Sequence, residues 1–213
     1  MSFGGKKMKN ILYVILVSLF SLTVISCTKK SSDISSSIIS VRESSDISSS
    51  TTKEIEGTWV TNCNTATWNK QHYVIETITV SGSAFLWKWD EYFDSSCSDV
   101  YMIWTNKYSS LSLTNGVTFD DGIKGSQFTM NVDSQEGLMK TEAAVKDYNN
   151  WNWCGFSDWV LNTAKDYSGK TCNNVSYPAK NATISGVYKL DESSLLITKD
   201  STTSVGSTVF IKQ

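Results

Sequence analysis

From Glu54 to Gln213 apolar and polar residues alternate in short runs, separated by clusters of Gly, Asn, Asp and Ser. Alternation with a period of two puts every second side chain on one face of an extended chain and marks half-buried strands. Phe128-Thr129-Met130-Asn131-Val132 alternates cleanly, Met139, Thr141, Ala143 and Val145 do the same, and Phe85, Trp87 and Trp89 share one face. The pattern predicts further strands over 58–63, 73–80, 100–105, 110–114, 186–190, 194–198 and 208–212. Ser81-Gly82-Ser83, Asn115-Gly116, Asp120-Asp121-Gly122 and Glu136-Gly137 read as turns between them. Only 151–162 reads as a short helix or an ordered loop. Eight to ten short strands without long alternating helices predict an all-β domain, an antiparallel sandwich or barrel.

The first residues follow another pattern. Lys6, Lys7 and Lys9 precede an apolar run over 11–25, which ends in Val24-Ile25-Ser26-Cys27. Basic residues, a short apolar run and a small residue form the order of a secretory signal peptide, and the run falls short of the ~20 residues of a spanning helix. With the cysteine directly after the small residue, the segment resembles the type II signal peptide and lipobox of bacterial lipoproteins. The resemblance implies cleavage after residue 26 and an acyl chain such as palmitate on Cys27, which makes the membrane a partner. It also implies residence in the bacterial cell envelope, and Thr28 rather than Asp after Cys27 points to the outer membrane.

Residues 27–53 read as a tether. Eleven serines fall within 28–53, and the segment 31–37 recurs identically as 44–50. A Ser-rich stretch with scattered isoleucines cannot bury enough apolar surface to offset its ordering entropy, so the folded domain is expected to occupy 54–213. As a coil, the tether would reach about 25–30 Å.

Gly57-Thr58-Trp59 opens the first predicted strand. It resembles the Gly-X-Trp motif of lipocalin-like barrels, and this narrows the expected fold to a single antiparallel β-barrel. The resemblance implies that Trp59 closes one end of the barrel beneath a ligand cavity. No other lipocalin signature is present.

Composition and charge restrict the chemistry. Removing Lys6, Lys7 and Lys9 with the signal peptide leaves 16 bases against 21 acids, a mature charge of −5. That balance disfavours nucleic acid as a partner, and no basic run interleaves with the aromatic residues as a single-strand groove requires. Setting Cys27 aside leaves Cys63, Cys97, Cys154 and Cys172, an even number that predicts two disulfides in an exported domain. Of the three pairings, Cys63 with Cys97 and Cys154 with Cys172 joins residues nearest in sequence, and the second would staple a loop or short helix near 151–172. Thiolate metal binding is the rival reading, but no Cys-x-x-Cys occurs and His72 is the only histidine, so no metal ligand is assigned.

No nucleophile elbow, P-loop or dinucleotide fingerprint is present. His72 reads as a surface or strand-edge residue. The acids Asp90, Glu91, Asp94 and Asp99 could in principle hydrolyse a glycoside but read as a solvated loop. No catalytic residue and no cofactor is therefore assigned, and the chain reads as a non-enzyme and a monomer. Its distinctive feature is eight tryptophans, for most of which core packing is the default. Trp151-Asn152-Trp153-Cys154-Gly155-Phe156 is the exception, because three aromatic residues in six positions cannot all face one core. With Trp59 and Trp159, Trp151 and Trp153 are the candidate ligand residues. The expected ligand is small and hydrophobic or amphipathic, held inside the barrel; the alternative is a surface module that meets a glycan or protein through the aromatic loop.

Overall fold

A computed structural model gives the architecture and describes residues 52–213. The expected signal peptide, Cys27 and all but the last two residues of the tether lie outside the described residues.

Twelve strands and one α-helix follow in order: β1 (Gly57–Val60), β2 (Asn64–Thr65), β3 (Tyr73–Ser81), β4 (Ala84–Tyr92), β5 (Val100–Thr118), β6 (Lys124–Met139), α1 (Glu142–Asn150), β7 (Ala164–Asp166), β8 (Thr171–Cys172), β9 (Val175–Ser176), β10 (Thr183–Asp191), β11 (Ser194–Lys199) and β12 (Phe210–Lys212). Eight of them close an antiparallel barrel in the order β1-β3-β4-β5-β6-β10-β11-β12, with β12 pairing back onto β1. This is the expected barrel. The excursion from α1 to β9 is inserted between β6 and β10, whose strands pair with each other over the first half of β6. The end of β6 pairs instead with β7.

Cross-strand partners lie on one face of a sheet, so the register lists the layers of the lumen. Val80, Phe85, Tyr108 and Val132 form one layer, and Ile78, Trp87, Asn106 and Gln135 form the next. Glu76, Trp89, Trp104 and Gly137 follow, and then Val74, Glu91, Met102 and Met139. Apolar residues dominate the first layers, where they pack with Trp59, Phe128, Leu195 and Phe210 into one core. Ile55, from the 3-10 turn Thr52–Ile55, is buried in the same core, and Trp59 Nε1 donates to its carbonyl at 2.9 Å. The lumen is thus filled by side chains in this half, around Trp59. Polar groups enter from the second layer onward, with Asn106 and Gln135, and the excursion covers the barrel at that end.

Three local expectations are corrected. The alternation of Met139, Thr141, Ala143 and Val145 is not a strand: β6 stops at Met139 and α1 starts at Glu142. The Thr141 hydroxyl accepts from Ala144 N at 3.1 Å, an N-cap that satisfies an otherwise orphaned donor. Ala144 and Tyr148, four residues apart, then form the buried face of the helix. Asn115-Gly116 and Glu136-Gly137 are not turns but lie within β5 and β6, the first at a bulge between Asn115 and Val117. A further irregularity over Ser109–Ser112 carries one strand through the two predicted at 100–105 and 110–114. Both disulfides form as expected, Cys63–Cys97 and Cys154–Cys172. Among the described residues no helix is long and apolar enough to cross a membrane.

Candidate aromatic cleft at the barrel mouth

The excursion is built so that its aromatic residues face the barrel mouth. Ala144 and Tyr148 of α1 pack with Met102, Met139 and Trp159. Asn149 fixes the returning chain, accepting from Trp159 N at 2.6 Å and donating to Trp159 O at 3.1 Å. Between these points the backbone turns sharply: Asn152, Cys154 and Gly155 all take positive φ, at 48°, 56° and 76°. Asn and Gly tolerate that region, and Cys154 is held in it by its bond to Cys172. The turn swings Trp153 against Trp104 of β5, with ring centroids 4.6 Å apart, and against Tyr167 at 5.2 Å.

The barrel supplies the facing wall. Trp104 lies across β6 because its cross-strand partner is Gly137; a Cβ there would sit 2.5 Å from Trp104 Cζ3. Trp89 stacks on Trp87 at 5.1 Å with the planes 12° apart. The Lys199 ammonium, from the end of β11, lies 5.1 Å and 5.5 Å from the centroids of these two rings.

Between the walls lies an open cleft of about 570 Å³, within the usual size of small-molecule sites. Five of the eight tryptophans line it, Trp68, Trp89, Trp104, Trp151 and Trp153, with Tyr148, Tyr167 and Tyr177. Trp68 and Trp151 are 55% and 57% exposed. With Val175 they gather three of the exposed large apolar side chains around one opening, and such clustering marks interaction sites.

The polar lining is ordered. His72 Nδ1 is hydrogen-bonded to Glu91 Oε1, and the His72 ring packs edge-on against Phe93 and Tyr101. Glu91 is 2% exposed, and its Oε2 has no hydrogen-bond partner among the described residues. Lys199 Nζ donates to Tyr108 OH at 3.2 Å, and Tyr167 OH donates to Asn106 Oδ1 at 3.1 Å. Burial pushes the Lys199 ammonium below its ordinary value, against the pull of Asp200 and Glu76. The Tyr148 and Tyr167 phenols are driven far up, chiefly by burial, and stay protonated donors. Among the described residues no three His, Cys, Asp or Glu side chains come together as a metal site.

Of the candidate ligand residues, the structure brings Trp151 and Trp153 together at the cleft. Trp59, 0% exposed, packs in the filled half of the lumen, and Trp159 packs behind the wall against Tyr148 and Phe156; neither lines the cleft. His72 stands at the edge of β3, directly before Tyr73, but is buried rather than at the surface. Asp90 and Glu91 are buried on β4 rather than in a solvated loop. Asp94 and Asp99 lie in the loop between β4 and β5 as expected, Asp99 exposed and the Asp94 carboxylate accepting from Ser96 N, Ser98 N and Asp99 N. His72, Glu91, Asn106 and Lys199 were missed as site residues, because nothing in their local sequence distinguishes them. Compared with known proteins, the chain matches no family model and no curated protein.

Proposed function

We propose that this chain is a lipoprotein of the bacterial cell envelope, acylated on Cys27, whose barrel mouth binds a small amphipathic ligand without catalysis. The observation that carries the binding reading is the cleft of about 570 Å³ walled by five tryptophans and floored by polar groups. An amphipathic ligand matches that division, apolar surface against the rings and polar atoms against the floor. The lining favours binding over catalysis: its only hydroxyls are tyrosine phenols, and its only sulfur, at Cys172, is in a disulfide. The aromatic loop that could have served as a surface module is one wall of this same cleft, so a glycan or protein approaching it meets the same site.

Calorimetric titration of the full-length protein in detergent with p-cresol, a small amphipathic probe, tests the reading. Saturable binding to the wild type and its loss in the Trp68→Ala, Trp151→Ala double variant are expected. Both residues are exposed, so the fold should tolerate their removal. Binding that survives the double substitution, or no saturable binding at all, overturns the reading.

A further inference from the structure

We infer that the cleft takes an uncharged pyranose sugar, with a ring hydroxyl donated to Glu91 Oε2 and the apolar face of the ring laid on a rim tryptophan. The inference rests on the reading of the cleft as a binding site and names its ligand class.

The argument begins with the unpaired oxygen. A buried carboxylate oxygen without a donor carries a desolvation penalty that a partner removes. His72 occupies Oε1, and Oε2 has no partner among the described residues. Glu91 lines the cleft with Oε2 buried beneath its surface, so a ligand seated on the floor brings the missing donor once the side chain turns Oε2 toward it. A purely apolar ligand could not, and would strip water from Glu91, Asn106 and Lys199 without replacing it.

The second step is charge. An anionic ligand would meet the Glu91 carboxylate. A cationic ligand would meet Lys199, whose ammonium already lies over Trp87, Trp89 and Tyr108 and donates to the Tyr108 hydroxyl. Acceptor and donor thus sit in one cleft with no excess of either sign, and the hydroxyl is the group that serves both, since it donates one hydrogen bond and accepts two. The third step is shape. Trp68 and Trp151 offer exposed indole faces at the opening. A flat ring with axial C–H bonds on one face and hydroxyls around its edge fits indole walls and a polar floor together.

The test is saturation-transfer NMR on the full-length protein in detergent, with glucose, galactose, mannose and N-acetylglucosamine against glucuronic acid, and with p-cresol as the competing probe. The expected result is transfer to at least one uncharged sugar, with a Kd of about 0.1–10 mM, displacement of p-cresol by it, and no transfer to glucuronic acid. Glu91→Gln should weaken sugar binding about tenfold or more, the effect of losing a charge-assisted hydrogen bond. Trp151→Ala, at an exposed position, should weaken it as well and serves if Glu91→Gln fails to fold. If p-cresol binds in a Trp68- and Trp151-dependent way but no uncharged sugar displaces it, the sugar inference falls and the cleft reading stands. If neither p-cresol nor any sugar binds, both fall. Preference for glucuronic acid, or sugar binding unchanged in folded Glu91→Gln, also overturns the inference.

Discussion

The cleft depends on single residues that leave room for a ring. Gly137 faces Trp104 across the β5–β6 ladder, and a Cβ at Gly137 would also come within 3.0 Å of Trp159 Cη2. Both neighbours are rigid indoles in packed surroundings, so neither can yield cheaply. Gly137→Ala should therefore cost about 1–3 kcal/mol through overpacking, read as a lowered urea midpoint, together with a changed near-ultraviolet circular dichroism signal from the displaced tryptophans. An unchanged midpoint and spectrum would mean that Trp104 moves freely. The same device recurs at Gly186, which faces Phe128 across β10–β6. Asp166, at the end of β7, makes a pH-dependent contribution. Burial opposes its ionisation, but hydrogen bonds from Lys180, Ser168 and the Gln135 backbone outweigh burial and hold the carboxyl down at about 2. A carboxyl with a depressed folded-state pKa stabilises the fold above its unfolded value of about 3.9 and loses that contribution as pH falls towards the folded value. Wild type should accordingly melt above Asp166→Asn at pH 6, and the gap should close between pH 4 and 2; a gap independent of pH would assign the effect to packing. Sequence alone could not reveal such roles. His72 and Glu91 stand 19 positions apart, and only the β3–β4 register, with Val74 opposite Glu91, brings them to one end of the lumen.

Among the elements, the barrel strands were largely legible and the excursion was not, for reasons that differ. Strands β3 and β4 alternate because one face meets the lumen core, so a period of two could be read directly. β5 defeated the same reading because its bulges shift the facing residue, and a long bulged strand resembles two short ones around a turn. α1 was masked by a chance alternation over Met139 to Val145. The cap at Thr141 and the two alanines after Glu142 were the better signal. Residues 151–177 carry little regular pattern, because the positive φ values at Asn152, Cys154, Asn173 and Asn174 are set by tertiary contacts and the disulfide. This makes Cys154–Cys172 the staple of the cleft wall. With a sequence separation of 18, the chain-entropy account gives it about 3 kcal/mol. In the Cys154→Ser, Cys172→Ser double variant, hydrogen exchange should accelerate over 142–177 while β3 to β6 keep their protection below 139. Uniform acceleration over the whole barrel would show instead that the bridge stabilises the domain globally.

For the whole molecule, the cleft and the packed core divide the barrel between its two ends. The polar layers, the excursion and the exposed tryptophans all belong to the end of the lumen opposite the packed core around Ile55 and Trp59. Ile55 is followed within two residues by β1, so the chain enters the barrel from the packed half. The proposed anchor depends on Cys27 differing chemically from the four cysteines of the domain, and pairing supports that separation: Cys63, Cys97, Cys154 and Cys172 use one another up. Metabolic labelling with a palmitate analogue in a bacterium expressing the full chain should mark the wild type and the Cys154→Ser, Cys172→Ser variant alike. Cys27→Ser should lose the label, remain uncleaved at residue 26 and migrate as the larger precursor. Label retained by Cys27→Ser would place the acyl group elsewhere. An unlabelled wild type cleaved at another position would replace the lipid anchor with ordinary secretion, and the barrel mouth would then have to meet its ligand away from a membrane.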